Sequence, residues 1–557
     1  MRVRDPAAHR LAEAPGSTLI DVKAIVNGRV WTGNPDQPWA EAIAMRDDRI
    51  LAVGSNDEIR ALAGGGPKVD ARGGLVTPGF IDSHIHLLAG GFRLTSVALR
   101  HVTSRRELIA ALESFATGMP EGDWITGGDW DHESWGGELP SRAWIDAATP
   151  RHPVWISRAD GHMALANSLA LSLAGVTHDT PDIDGGTIVR DGRSEPTGLL
   201  KDNAMTLVDR VVKRPGADLE DRALDAAMRY VAARGVTSVH HMGSVPQSAK
   251  WTDLAAFRRA HHAGRLRTRI YASVPLAGWR ELAALVASRD FGGDDGRGDA
   301  WLRIGALKGF MDGSLGSRTA AFHEPYTDEP GNAGLLVHPQ EELGDWITNA
   351  DRLGLHPVVH AIGDRANTIL LDLFEAAAAA NGPRDRRFRI EHAQHLRPAD
   401  IPRFGRLRVI ASMQPYHAID DGRWAERAIG HDRARTTYAC RSLVDAGARI
   451  IFGSDWFVAP PTPLEGLFAA VTRQTLDGKA PGGWIPSQRI SLEEALRAYT
   501  VDAAYGSFEE SMKGRLASGY FADVVVLDRD LFARPPDELR EARVMATFVG
   551  GVLVHES

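Results

Sequence analysis

The chain has 557 residues, far more than one small domain needs, so a large core with at least one accessory module is expected. Its 64 basic and 72 acidic residues give a formal charge of −8 with no basic tract, which argues against nucleic acid as a partner. The single cysteine, Cys440, excludes an intrachain disulfide framework and a Cys-rich zinc site, and fits a reducing cytoplasm.

The leading MRVRDPAAHRLAEAPG carries charge without the apolar core of a signal peptide, and no stretch approaches the roughly 18 apolar residues of a membrane span. The expectation is a soluble, unexported, cytoplasmic protein with a poorly ordered leader and no membrane partner. From about Asp21 to Val76, the pieces VKAIVNGRVWTG, AEAIAMRDDRILAVG and GGLVTPG read as short strands of a small antiparallel sheet. The same texture returns from Lys513 in KGRLASGYFADVVVLDRD and VMATFVGGVLVHES. Neither end has enough strands to bury a face alone, so residues 17–77 and 513–557 are expected to form one composite β-sandwich.

The middle, 78–512, alternates. Apolar, β-rich runs occur at GFIDSHIHL, GVTSVHHM, LRTRIYASV, LRIGALKGF, HPVVHAIG, FRIEHAQ, RVIASMQP and RIIFGSDW. Helical text such as LEDRALDAAMRYVAARG and ANTILLDLFEAAAAANG lies between many of them. Eight alternations predict an α/β fold of the (β/α)8 barrel type, whose strands are buried on both faces and so read as near-continuous apolar runs. The gap from His86 to the second run at Gly235 is too long for a plain repeat. Its segments ITGGDWDHESWGGELPSRAWID and VWISRADGHMALANSLAL are rich in Trp, His and Gly. Insertions in barrels grow from the loops on the active-site face, so about 90–225 is expected to form a substrate-side lid or wall.

Barrel enzymes carry reactive groups at the C-terminal ends of their strands. Five of the eight runs end in a metal-capable residue: His84 and His86, then Lys308, His360, His392 and Asp455. Each alone has a plain structural explanation. His392 could be a buried histidine satisfied by a carbonyl, as His240 and His241 could be, and Asp455 could cap a helix or close an Asx-turn. Lys308 in ALKGF is harder to explain so, because an ammonium in an apolar run pays a large desolvation cost unless its pKa falls or its nitrogen is modified.

The order His-x-His, Lys, His, His, Asp on strands one, four, five, six and eight resembles the amidohydrolase superfamily, and in particular its amidohydrolase-3 or YtcJ-like branch, which includes N-substituted formamide deformylase-type proteins. VTPGFIDSHIHL, ALKGFMDGSLGSRTAAF, VVHAIGDRA, IEHAQ, FGSDW and the closing ADVVVLD carry the likeness over essentially the whole chain. The resemblance implies that His84, His86 and Asp455 bind one divalent metal and that His360 and His392 bind a second where one is present. It implies an N-carboxylated Lys308 whose carbamate bridges the two. Zinc is the preferred ion for imidazole and carboxylate donors, with manganese, iron or a mononuclear site as alternatives.

Such a centre lowers the pKa of water toward about 7 and polarises a carbonyl. Asp455 is expected to act as general base and then return the proton to the leaving amine, and His360 or His392 to assist. The expected reaction is hydrolysis of a non-peptide C–N bond in an amide or N-substituted formamide of small size. A cyclic imide, carbamate or ester hydrolase is the alternative; Lys308 argues against a deaminase, and the complete ligand set against a non-catalytic scaffold. Trp130, Asp131, Trp135, His162, Ser314, Arg318 and Gln414 are the candidate substrate contacts, with the tryptophans favouring an aromatic or apolar group. The competing readings are that Trp130 and Trp135 pack the insertion and that Arg318 pairs with Asp312 or Glu324. A homodimer is in keeping with barrels of this kind.

Overall fold

The computed structural model describes residues 22–94, 96–212, 216–243 and 251–557; the leader expected to be poorly ordered, and the first five residues assigned to the sandwich, lie outside the described residues. The eight apolar runs form the eight parallel strands of a barrel sheet: Phe80–Ile85, Val236–His241, Arg269–Pro275, Leu302–Phe310, His356–Ala361, Arg389–His392, Ile410–Met413 and Ile450–Phe452, referred to below as barrel strands one to eight. They lie side by side in sequence order. Strands one, two, five, six, seven and eight are buried at every residue, which is why the sequence shows continuous apolar runs rather than alternation. Helices such as Ala217–Ala232 and Asp364–Asn381 make the crossovers, burying Leu224, Met228 and Val231, and Leu370, Leu371 and Phe374, against the sheet.

The sheet is closed between strands eight and one by side chains as well as backbone. The Ser454 N–H (2.9 Å) and Oγ–H (2.6 Å) both donate to the Asp82 carboxylate. The Asp455 N–H donates to the His84 carbonyl (2.6 Å), the His86 N–H donates to the Trp456 carbonyl (2.7 Å), and Ile85 and Trp456 form an isolated parallel bridge. Gly453 permits this approach: a Cβ there would lie 2.3 Å from the His84 nitrogen.

Outside the barrel, Leu75–Pro78 near the start of the chain pairs antiparallel with Val524–Leu527 near its end, in a six-stranded sheet shared by both termini. A four-stranded sheet is built from Lys23–Val26, Ala42–Arg46, Arg49–Gly54 and Lys68–Asp70. The N-terminal pairing is not purely antiparallel, contrary to the sequence expectation. Lys23–Val26 runs parallel to Lys68–Asp70, and Arg29–Trp31 parallel to Leu75–Pro78. The helix Asn56–Ala63 and the strands before it supply a crossover long enough for parallel pairing.

The segment between the helices Leu87–Arg93 and Ala217–Ala232 builds a third unit. Its six-stranded sheet has the order Gly186–Arg190, Pro196–Asp202, Met163–Ala166, Val154–Arg158, Ile125–Trp130 and Val97–Ala98. Val97, Leu108, Ile125, Trp130, Trp144 and Met163 give it a core of its own. Among the described residues no helix is long and apolar enough to cross a membrane.

The barrel is fastened to the terminal sheet by a buried bidentate pair: Arg269 Nε and Nη2 donate to the Asp523 carboxylate at 2.7 and 3.0 Å, and the Gly550 N–H donates to it at 2.8 Å. Asp523→Ala leaves the Arg269 guanidinium buried without its counter-ion and is expected to cost about 3–5 kcal/mol. A fall in the urea midpoint at unchanged slope checks this, and no change would mean that the joint carries none of the stability.

Candidate metal centre

The six predicted ligands converge at the C-terminal mouth of the barrel. Ligand atoms of His84, His392 and Asp455 all lie within 4.8 Å of one another, and all three residues are buried. His84 Nε2 and His86 Nε2 stand 3.4 and 3.3 Å from Asp455 Oδ1, and Lys308 Nζ stands 3.4 Å from His84 Nε2. The His360 and His392 rings have centroids 4.6 Å apart, and the His84 and His392 rings 4.8 Å. Barrel strand one ends at Ile85, so His86 sits just beyond it at the start of the helix Leu87–Arg93, with its ring centroid still 5.7 Å from that of His84. His392 (φ 74°) and Asp455 (φ 59°) both adopt left-handed backbone, uncommon for residues with a Cβ and concentrated at functional sites.

Each imidazole is held by one nitrogen so that the other is available. His84 Nδ1–H donates to Glu391 Oε2 (2.6 Å), His86 Nδ1–H to the Gly243 carbonyl (2.8 Å) and His392 Nδ1–H to Gln414 Oε1 (2.7 Å). These three present Nε2. His360 is attached the other way, Nε2–H donating to the Gly313 carbonyl (2.9 Å), and presents Nδ1. Glu391 is in turn fixed by Arg389 Nε and Nη2 at 2.8 and 3.1 Å, and neither residue is exposed at all. Such outer contacts set the tautomer and raise the basicity of a metal-binding histidine.

The electrostatics suit a cation. Burial, reinforced by Lys308, holds the His84 imidazole well below its ordinary pKa; burial with His162 and Lys308 does the same for His360, and burial with His360 and His84 for His392. These rings are neutral, as ligands must be. Burial alone would raise the Asp455 carboxyl, but its contacts with His84 and His86 outweigh burial and keep the carboxyl below its ordinary value. Burial lowers the Lys308 ammonium to about 8, against the opposing charges of Glu391 and Asp455. Three imidazoles held neutral around one ionised carboxylate form a donor set that fits a divalent cation.

The candidate substrate contacts divide. His162, from the insertion, comes to the site: its ring centroid is 5.0 Å from that of His360, and Nδ1–H donates to Asp202 Oδ1 at 2.6 Å. Burial would lower its pKa, but the Asp202 hydrogen bond and charge prevail and raise it. The other six are engaged elsewhere. Trp130 is fully buried in the insertion core, its indole N–H on the Ile156 carbonyl, and Trp135 stacks on it with its own N–H on the Glu138 carbonyl. Asp131 accepts from Arg158 Nη2 (2.7 Å) and from the Glu133 N–H. Ser314 Oγ–H donates to Asp160 Oδ2 (2.5 Å), and Gln414 orients His392. Arg318 is indeed paired, but with Asp328 at 2.6 Å and Glu133 at 3.6 Å rather than with Asp312 or Glu324. Asp312 instead accepts from the backbone N–H groups of Ala321, Ile362 and Gly363, and so ties the loop after strand four to the end of strand five.

The sequence reading passed over Asp82, Arg389 and Glu391, although they stand inside the quoted strand segments. The signal was present: a charge in a run buried on both faces must have a partner, the same reasoning that singled out Lys308.

The model of the amidohydrolase family matches residues 68–555. The protein LONG AFTER FAR-RED 3 of Arabidopsis thaliana is 41% identical over 96% of this chain and 92% of its own length. The N-substituted formamide deformylase of Arthrobacter pascens is 30% identical over 96% of this chain and 98% of its own length. Among solved structures, an uncharacterized metal-dependent hydrolase from Pyrococcus horikoshii superimposes with a TM-score of 0.74 at 30% identity, covering 93% of this chain and 99% of that one.

Glu391→Gln keeps the shape of the side chain while removing the charge that fixes His84. It is expected to weaken divalent-cation binding roughly 10–100-fold, read by chelator competition with far-UV circular dichroism unchanged. Unaltered affinity would show that the tautomer of His84 is set without this carboxylate.

Proposed function

The chain belongs to the amidohydrolase family, and from that premise we propose that it is a metal-dependent hydrolase cleaving a C–N bond outside a peptide, in an amide or an N-substituted formamide. The observation that carries the reading is the convergence of His84, His392 and Asp455, whose ligand atoms all lie within 4.8 Å of one another. The bond class draws support from the Arthrobacter pascens relative, whose name specifies N-substituted formamides. In this reading His84, His86 and Asp455 hold one divalent cation, with zinc preferred, and His360 and His392 hold a second. When bound, the cation supplies Lewis acidity toward the substrate carbonyl and lowers the pKa of water toward neutrality.

The protein's own groups do the rest. Asp455, held ionised, accepts the proton of the attacking water and returns it to the departing nitrogen. His162, fixed through Nδ1 by Asp202, offers its other ring nitrogen to the carbonyl oxygen as negative charge develops there. Lys308, lowered to about 8, carries an appreciable unprotonated fraction near neutral pH. Its lone pair can attack CO2, forming an N–C bond with loss of one proton to solvent, and the carbamate so formed would offer anionic oxygens to the cations.

Chelation is expected to abolish hydrolysis of N-benzylformamide, and zinc or manganese with bicarbonate to restore it. A panel of N-substituted formamides, N-acyl amines and esters sorts the bond class; activity on esters alone would replace the amide reading. In 13C-bicarbonate, a carbamate resonance is expected in the wild type, growing as pH rises from 7 to 9 because the amine is the reactive form, and missing in Lys308→Ala. Full cation content and full rate in Lys308→Ala would remove the carbamate from the account.

A further inference from the structure

His417 lies on the helix Pro415–Asp421 that follows barrel strand seven, three residues after the Gln414 that orients His392. Its ring is almost parallel to that of His392, at 12° with centroids 6.4 Å apart. The charges that act on it are those of Asp455 and Asp420, with Arg100 and Asp160 from the insertion. Its Nε2 is buried and has no hydrogen-bond partner among the described residues. A buried polar atom is ordinarily satisfied, and one left over beside a reaction centre has the character of a contact made when substrate arrives.

We propose that His417 Nε2 is a substrate contact that receives the N–H on the leaving side of the scissile bond. The proposal rests on the amide-hydrolase reading above. Asp455 returns a proton to the departing nitrogen, so that nitrogen must come close to Asp455. His417 is the histidine stacked beside His392, whose ligand atom lies within 4.8 Å of that of Asp455, and the Asp455 charge acts on it, whereas His162 stands beside His360. A secondary amide or N-substituted formamide carries one N–H, and an imidazole protonated on Nδ1 accepts it at Nε2. The contact selects for a hydrogen on nitrogen, and disfavours esters and fully substituted amides that would leave Nε2 without a partner.

The test compares N-benzylformamide with benzyl formate, in which an oxygen replaces the N–H, on cation-loaded wild type, His417→Ala and His417→Gln. His417→Ala is expected to lower kcat/KM for the formamide by roughly 10–100-fold. The loss on the formate is expected to be at least about tenfold smaller. His417→Gln, whose side-chain oxygen can accept the same N–H, is expected to recover most of the loss, with cation content per chain the same in all three proteins. Equal losses on both compounds, or loss of cation with the ring, overturn the proposal. If the wild type hydrolyses neither compound, the formamide-hydrolase reading falls on its own account and calorimetric binding of N-benzylformamide decides the contact. Binding weakened in His417→Ala sustains it, and equal binding or none overturns it.

Discussion

The joint between barrel strands eight and one is the constraint on which the site depends. The first and last strands of the barrel lie far apart in the sequence, yet His84, His86 and Asp455 stand on them or just beyond their ends, and a cation site would need those donors within a few ångströms. Asp82 performs the joining by accepting from Ser454 twice and from the His84 N–H, while the Asp455 N–H and His86 N–H cross to the facing carbonyls. The same bonds that close the sheet therefore set the relative height of the ligands. The Asp82 carboxyl is raised to about 7 by burial, against the hydrogen bonds from Ser454 and His84. The joint is thus built at a desolvation cost that a purely apolar seam would avoid.

The barrel interior tells the same story at larger scale. Arg389 has no exposure, and its guanidinium donates to Glu391, the Ser83 carbonyl, Ser412 Oγ and His240 Nδ1. Replacing such a pair with apolar residues of equal volume is often neutral or stabilising, so stability is a poor explanation for its presence. Orientation is a better one. The pair ends on His84 Nδ1, and without it the ring is free to turn its protonated nitrogen toward the cation position.

The fold and the positions of the candidate donors were legible in the sequence because both follow from the same local rule. A strand buried on both faces must be apolar, and any metal-capable residue at its end stands out; hence the eight strands and the positions of His84, Lys308, His360, His392 and Asp455 were all readable. Polar partners inside those strands, Glu391 and Asp82, carry the same signal, a charge within a run buried on both faces. The surroundings of the site were not legible, because they are long-range. Nothing near Arg318 in the sequence points to Glu133, and nothing around His162 points to Asp202. Trp130 was left between pocket wall and packing because a tryptophan in a Gly-rich segment reads the same whether it faces substrate or a small separate core, and the structure places it in the core. The parallel pairing near the N-terminus was missed for a related reason: alternation identifies a strand but carries no information about its neighbour's direction.

The insertion is more than a cover placed over a finished site. Arg100 donates to the carbonyls of Phe457 and Val458, two and three residues after Asp455, and Arg93 lies over the Phe457 ring; both guanidiniums are paired with Asp129 of the insertion sheet. On the other side of the mouth, Asp160 links Arg158 to Ser314 and Ser317 in the loop after strand four. The insertion thus holds the loop that follows the last ligand and the loop that follows Lys308, while contributing His162 itself. Barrel enzymes are often described as a fixed scaffold with interchangeable loops. Here a change in the insertion that altered the substrate pocket would also pull on Asp455, so specificity and ligand geometry cannot vary independently. That coupling favours small adjustments at single side chains such as His162 and His417 over wholesale replacement of the loop.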